Sequence, residues 1–396
     1  MKDIVIIANF CRDFSETDNG RFMYLCKKLS AENNVEIITS DFNHSKKNHK
    51  DPLVHNWSFK ITFLHEPGYK KNISIQRLIS HYCWGREVAK YLENRKKPDV
   101  VYCAVPSLSG PLAAAKYCEK NDIRFIVDIQ DLWPEAFQLA LNIPVLFEPF
   151  RRRADAIYRR ADEICGVSKT YVDRALKVNS KVKNGHVVFL GTQLSTFDAY
   201  AKQNPVDKPK GELWLGYCGS LGASYDLTVV IDALHILKNR GINPPKFIVM
   251  GSGELKEKFE RHAKELEVDC LFTGSLSYDQ MCGKLAACDI AVNPIISRSA
   301  ASIINKHSDY AASGLPVINT QESSEYRNLV DEYKMGFNCE NGNAMDIANK
   351  MQKLIESHEL RNEMGKNARR CAEEKFDREF TYKEIFNCSL KWGSMS

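Results

Sequence analysis

The chain has 396 residues, 44% of them hydrophobic and 27% charged, with a formal net charge of +5. That length is comfortable for two cores, and the ordinary composition excludes extensive disorder. The charge is held unevenly, +7 over residues 1–200 and −2 over the remainder. With no recognition motif this excludes a nucleic-acid-binding surface, and it fits a first half that approaches an anionic membrane face.

The N-terminal run "MKDIVIIANF" is too short and wrongly followed for a signal peptide. No stretch approaches the roughly 20 apolar residues of a membrane span. The 13 cysteines are odd in number and form no CxxC pair. They are expected to be reduced and buried, as small hydrophobes and not as disulfides or a zinc site. A cytoplasmic protein is therefore the expectation.

Within that run, "DIVIIA" at residues 3–8 is continuously apolar, as a parallel strand buried on both faces requires. A polar loop with Asn19 and Gly20 follows, then a helical stretch to Ser30. Strand-like runs recur at "VEIIT", "FKITFL", "DVVYCAV", "FIVDIQ", "EICGVS" and "HVVFLG", mostly separated by segments of helical length. Alternating strand and helix predicts a parallel sheet covered on both faces. Residues 201–211, "AKQNPVDKPKG", break the rhythm and read as a linker. The pattern then restarts through "LWLGYCGS", "KFIVMGSGE", "DCLFTGSLS", "IAVNPI" and "PVINT". The expected fold is α/β, with doubly wound Rossmann-like domains over residues 1–200 and 211–375. Ligands are expected in an interdomain cleft facing the carboxyl ends of the strands. The chain from about Ser357 reads as helical, and residues 376–396 are expected to pack back on the first domain.

Three second-domain strands end in glycine and serine: "GYCGSLG", "MGSGE" and "TGSLS". Gly219, Ser220, Gly251, Gly253, Ser275 and Leu276 thereby become candidates for a ligand that needs close approach of backbone N–H groups. Each turn alone is also what any strand-to-helix junction needs. None is a P-loop or a clean GxGxxG. The segment "SAASIINKHSDYAASGLPVINT", residues 299–320, follows strand "IAVNPI" and so lies at the same end. Helical spacing predicts one face shared by Ser302, Asn305, Lys306 and Asp309. A carboxylate there can accept from both hydroxyls of a ribose diol. Lys306, His307 and Arg298 can offset phosphate charge, helped by the helix N-terminus. The competing reading is a solvated helix face with Tyr310 turned to the core.

"INKHSDYAASGLPVI" resembles the donor-site segment of GT-B glycosyltransferases of the GT4 type, in the branch that builds bacterial O-antigens and capsules. Segments similar to that branch run in order along nearly the whole chain, among them "VDIQDLWPEAF", "ADEICGVSKTYVD" and "YCGSLGASYDLTVVIDAL". The resemblance implies a GT-B fold and a role for each matched position. Asp309 stands where the family has the glutamate that holds the donor ribose, one methylene shorter. Lys306, Asn305 and Arg298 would lie near the diphosphate, Ser275 and Leu276 near the base, and Gly219 and Ser220 near the phosphates. Asn19 and Gly20 match the loop facing the donor, and Asp131 lies in the "DLWPE" segment near the sugar, unless it only caps a helix. The family's other glutamate falls at Ala301, and the usual Arg and Lys are absent from "GSLGASYD".

The implied function is retaining transfer of a sugar from a nucleotide-diphosphate donor, UDP the expected carrier, to a polyprenyl-diphosphate-linked or oligosaccharide acceptor. No metal or other cofactor is expected. Catalysis would rest on Arg298, Lys306 and Asp131. Two stretches suggest peripheral docking at the inner face of the plasma membrane. In "EPFRRRADAIYRRADEI", an apolar stripe from Phe150 to Ile164 accompanies Arg151, Arg152 and Arg153. In "YKKNISIQRLISHYCWG", Ile75, Leu78, Ile79 and Tyr82 accompany Arg77. Rival functions are a non-catalytic nucleotide-sugar binding protein and a nucleotide-sugar epimerase of the same fold.

Overall fold

Runs of consecutive apolar residues form the interior strands of two parallel sheets. A computed structural model describes residues 1–12, 14–15, 20–50, 56–135, 144–297 and 302–390, so the candidates Asn19, Arg298 and Ala301 lie outside the described residues. One unit holds residues 1–189 with the stretch from Tyr382 onward, and the other holds residues 190–381.

The first unit contains β1 (Asp3–Ile7), β2 (Asn34–Ser40), β3 (Phe42–Asn43), β4 (Asn48–His49), β5 (Lys60–Leu64), β6 (Val100–Val105), β7 (Arg124–Ile129), β8 (Glu163–Gly166) and β9 (His186–Val187). Its seven-stranded sheet runs β5-β2-β1-β6-β7-β8-β9, with β3 and β4 a separate antiparallel pair. Ile4 lies opposite Val35 on one side and Val100 on the other. Its helices α1 (Arg21–Leu29), α2 (Ile75–Asn94), α3 (Ser109–Asn121), α4 (Pro144–Arg160) and α5 (Lys169–Leu176) follow the strands. Ser74 and Ser168 cap α2 and α5 by accepting from Arg77 N and Tyr171 N, satisfying N–H groups that the helix itself cannot.

Two expectations about the surface are corrected here. The apolar stripe of α4 is not open to lipid: Ala154 and Ile157 are fully buried in their own unit, and Ile164 belongs to β8. Arg151, Arg152 and Arg153 are exposed, the first two paired with Glu148. On α2 the reverse holds. Ile75, Leu78, Ile79 and Tyr82 face solvent, with Ile75 76% exposed, while Arg77 is only 7% exposed. Arg77 sits with Ser80, His81 and Trp84 on the buried face, so it is not a surface cation.

The second unit contains β10 (Trp214–Cys218), β11 (Lys246–Met250), β12 (Cys270–Gly274), β13 (Ile290–Asn293), β14 (Val317–Asn319) and β15 (Gly336–Asn338), in the parallel order β12-β11-β10-β13-β14-β15. Its helices are α6 (Leu194–Gln203), α7 (Leu227–Asn239), α8 (Lys256–Glu265), α9 (Tyr278–Ala286), α10 (Asn305–Ala312), α11 (Ser324–Tyr333), α12 (Ala344–Glu356), α13 (His358–Cys371) and α14 (Arg378–Thr381). Its core joins Leu215, Tyr217, Phe247, Val249, Ile290 and Ile318 from the sheet to Val230, Leu234, Ile347 and Met351 from α7 and α12. The strand order reverses between β10 and β13, which makes the carboxyl ends of those strands the topological switch point of this sheet.

The last helix, α15 (Lys383–Leu390), belongs to the first unit, whose core takes in Tyr382, Ile385 and Cys388. A buried ion pair ties this return in place. Arg21, in the first turn of α1, donates from Nε and Nη2 to the two oxygens of Asp128 on β7, at 2.9 and 3.0 Å. Its Nη1 donates to Val188 O and to the Tyr382 hydroxyl. Removing one partner of such a pair strands the other charge in the interior. Arg21→Ala is expected to cost about 3–5 kcal/mol in urea unfolding, whereas Arg21→Met with Asp128→Leu recovers most of that loss.

Candidate functional site

The second unit's switch point is built around one tyrosine. Tyr310 on α10 is buried, and its hydroxyl accepts from Cys218 N at 3.1 Å and donates to Val292 O at 3.1 Å. It therefore bolts α10 to the ends of β10 and β13 together. One turn earlier on α10, that bolt fixes the direction of Lys306.

Lys306 is buried, with its Nζ 4.1 Å from the centre of the Tyr217 ring and 3.7 Å from that of Tyr225. These cation–π contacts are its company, since Nζ has no hydrogen-bond partner among the described residues. Burial pushes its pKa down to about 7, with a smaller opposing pull from Cys218. The ammonium lies against Gly219, where a Cβ would come within 2.8 Å of Nζ. Gly219 also has φ +144°, which only glycine adopts without strain. A desolvated ammonium with no acceptor is costly, and anionic oxygens at this loop would relieve that cost.

The glycine turns contribute differently from one another. Gly219 N donates to Met250 O at 3.0 Å, and Leu221 N donates to Ser252 O at 2.9 Å. At Gly251 the position of a side chain is taken by Gly219 O, and at Gly253 by Leu221 O. These two glycines thus allow loop to pack on loop, which is a different role from backing a ligand directly. Ser220 is exposed, and its carbonyl accepts from the Tyr217 hydroxyl at 2.7 Å. Ser275 is exposed and hydrogen-bonded to Ser252 at 2.6 Å, with Leu276 half-buried beside it.

The shared helix face foreseen for Ser302, Asn305, Lys306 and Asp309 does not form as such, because α10 starts only at Asn305. Ser302 lies ahead of it, donating to Glu325 Oε2 at 2.6 Å, and Asn305 is exposed. Asp309 is buried, and its Oδ1 accepts from the Tyr278 hydroxyl at 3.0 Å, which in turn meets Thr192 Oγ1 at 2.7 Å. His307 does not serve as a phosphate cation. It is fully buried, stacked 3.5 Å from the Tyr326 ring, and burial drives its pKa well below the ordinary value. Lys306 and Gly219 are therefore brought together, while Asp309 is engaged with Tyr278. Sequence reasoning missed Tyr217, Tyr225 and Tyr278; the first two flank "CGSLGAS", and only their aromatic character marked them.

In the first unit, Gly20 precedes α1 as its N-cap. Asp131 follows β7, and its Oδ1 accepts from Leu132 N at 2.9 Å. Burial pushes this carboxyl up to about 6, against the pull of that backbone N–H and of Trp133. The Arg77 guanidinium lies 4.4 Å over the Trp133 ring, which also stacks on His81. Beside it Glu66 accepts from Asn9 Nδ2 at 2.9 Å and from Ser80 Oγ at 2.8 Å. A packed cluster of aromatic, cationic and acidic groups thus covers the carboxyl ends of β1, β5 and β7. Among the described residues, the groups able to hold a metal are Asp41 with His49 and His65, and Glu163 with His186 and Cys388. Neither contains a residue of the second unit.

Residues 199–371 match the family described as glycosyl transferases group 1. Among solved structures, Anabaena Alr3699/HepE in complex with UDP shares 14% identity, a TM-score of 0.69 and coverage of 98% of this chain and 99% of its own. A sucrose-phosphate synthase from Thermosynechococcus elongatus shares 17% identity, a TM-score of 0.75 and coverage of 98% and 100%. WaaG, a glycosyltransferase involved in lipopolysaccharide biosynthesis, shares 16% identity, a TM-score of 0.68 and the same coverage of 98% and 100%. No curated protein matches the chain in sequence. The chain has the GT-B fold, and the family match supports a glycosyltransferase.

Because the folded pKa of Lys306 is depressed from 10.5 to about 7, the unfolded chain binds the extra proton between those values. Stability without ligand should therefore rise with pH across that window. Lys306→Met is expected to remove this slope and to stabilise the protein at pH 7 by about 1–4 kcal/mol, as measured by urea unfolding at two pH values.

Proposed function

We propose that the protein transfers a sugar from a nucleotide-diphosphate donor, with UDP as carrier, to a lipid-linked or saccharide acceptor in bacterial surface-polysaccharide synthesis. The transfer retains the donor's anomeric configuration. The observation that carries this reading is the buried Lys306 nitrogen at the switch point of the second sheet, without a hydrogen-bond partner among the described residues. A sugar–diphosphate bond breaks with negative charge gathering on the departing phosphate. An amine already desolvated and fixed between two rings, and protonated as the phosphates enter, can stabilise that charge with little reorganisation. The UDP in the HepE structure supports the choice of carrier.

In this reading the Gly219 and Ser220 backbone meets the phosphates, Asp309 the ribose, and Ser275 and Leu276 the base. Arg298 adds a second cation, and Asn19, Gly20 and Asp131 face the sugar. The leaving phosphate takes the acceptor's proton, so the chain need supply no separate base. The acceptor arrives from a lipid surface. Ile75, Leu78, Ile79 and Tyr82 form an exposed apolar patch on α2. Tyr82 also lines a groove of about 520 Å³ with Arg86, Lys116, Lys120 and Arg153. Apolar side chains bordered by cations suit an anionic bilayer.

Two measurements test the reading. In titration calorimetry, UDP should bind with uptake of a proton above about pH 7 and with affinity that falls as pH rises. Lys306→Met should weaken binding at least about tenfold, each tenfold being about 1.4 kcal/mol, and abolish the uptake. Equal affinity in the variant would remove the basis for the donor site. In flotation assays, the protein should rise with anionic liposomes and not with neutral ones, and Leu78→Glu with Ile79→Glu should stay behind. Equal recovery of the protein with both liposome types would remove the membrane assignment.

A further inference from the structure

Away from the donor site, the β8–β9 edge of the first sheet gathers three unlike ligand types. Glu163 Oε2 lies 3.2 Å from His186 Nε2, and the ligand atoms of Glu163, His186 and Cys388 all lie within 4.8 Å of one another. The topology makes this grouping specific. Glu163 and Cys165 are two apart on β8 and so share a face. Cys165 is paired with His186 across the strands. Cys388 is on α15, in the same core as Cys165.

We propose that Glu163, His186 and Cys388 form a zinc site that fastens α15 to the sheet edge, with water completing the shell. A carboxylate, an imidazole and a sulfur are a donor set that favours zinc over magnesium or calcium. The surroundings suit such a site. Glu384 Oε1 lies 2.8 Å from His186 Nδ1, the arrangement in which a carboxylate orients a ligand imidazole and leaves Nε2 for the metal. Arg124 holds the other Glu163 oxygen at 2.8 Å, fixing that carboxylate. Zinc entry would release the protons of His186 Nε2 and the Cys388 thiol to solvent. The widely separated positions 163, 186 and 388 give no metal signature in sequence.

The test uses the full chain, stripped of metal under reducing conditions and titrated with Co²⁺. One equivalent should produce a thiolate-to-cobalt charge-transfer band and raise the melting temperature, and Zn²⁺ should displace it. Cys388→Ser and His186→Ala should lose both responses. Glu384→Gln should weaken Co²⁺ binding by about 10–100-fold while keeping the band. Circular dichroism and UDP binding report whether each variant remains folded. Absence of a band in the wild-type chain, or a band of equal strength in folded Cys388→Ser, would overturn the site. The three-atom cluster would then be a hydrogen-bonded ion cluster only.

Discussion

The donor site proposed in the second unit depends on one lysine nitrogen held out of water. Lys306 sits between the Tyr217 and Tyr225 rings, under Gly219, with no acceptor for its protons among the described residues. Keeping it there costs free energy that cation–π contacts only partly offset. The geometry explains why the cost is tolerated. Tyr310 bridges Cys218 and Val292, so the lysine's helix is fixed to two central strands and cannot rotate the charge out to solvent. The glycines at 251 and 253 let the neighbouring loop close beneath Gly219. A single titratable nitrogen is thereby held at the carboxyl ends of the two central strands, where ligands of such sheets collect.

The first unit handles its interior charges the opposite way. Arg21 and Asp128 satisfy each other at two contacts, and further acceptors at Val188 and Tyr382 complete the guanidinium. Glu66 is similarly enclosed by Asn9 and Ser80. Paired groups of this kind hold elements together, whereas an unpaired one is poised for something outside the chain. The same contrast appears at the surface: α4 spends its apolar stripe on its own unit, while α2 leaves its stripe open.

The sequence made the parallel sheets legible because their interior strands are long apolar runs, as in Ile4–Ile7 and Ile290–Val292, where burial on both faces leaves no alternation. The three-residue β15 and the two-residue β3 and β4 carry too little pattern for periodicity to register. At the candidate site, Lys306 and Gly219 were visible, but their partnership with Tyr217 and Tyr225 was not. Helical spacing placed Ser302 with Lys306 because it assumed a helix beginning before Asn305. It also gave His307 a solvent role, which stacking on Tyr326 prevents. Periodicity finds which residues share a helix face, and it does not reveal which neighbouring element covers that face. The same limit hid the grouping of Glu163, His186 and Cys388, which meet through two sheet-edge strands and a helix from the far end of the chain.

The most direct measurement is a proton titration of the Lys306 side-chain nitrogen by NMR on lysine-labelled protein, with the signal assigned by its loss in Lys306→Met. Without ligand the midpoint should fall near about 7, and saturation with UDP should move it upward as the phosphates favour the charged form. A midpoint at the ordinary lysine value of 10.5, unchanged by UDP, would contradict the stored-charge description of the donor site.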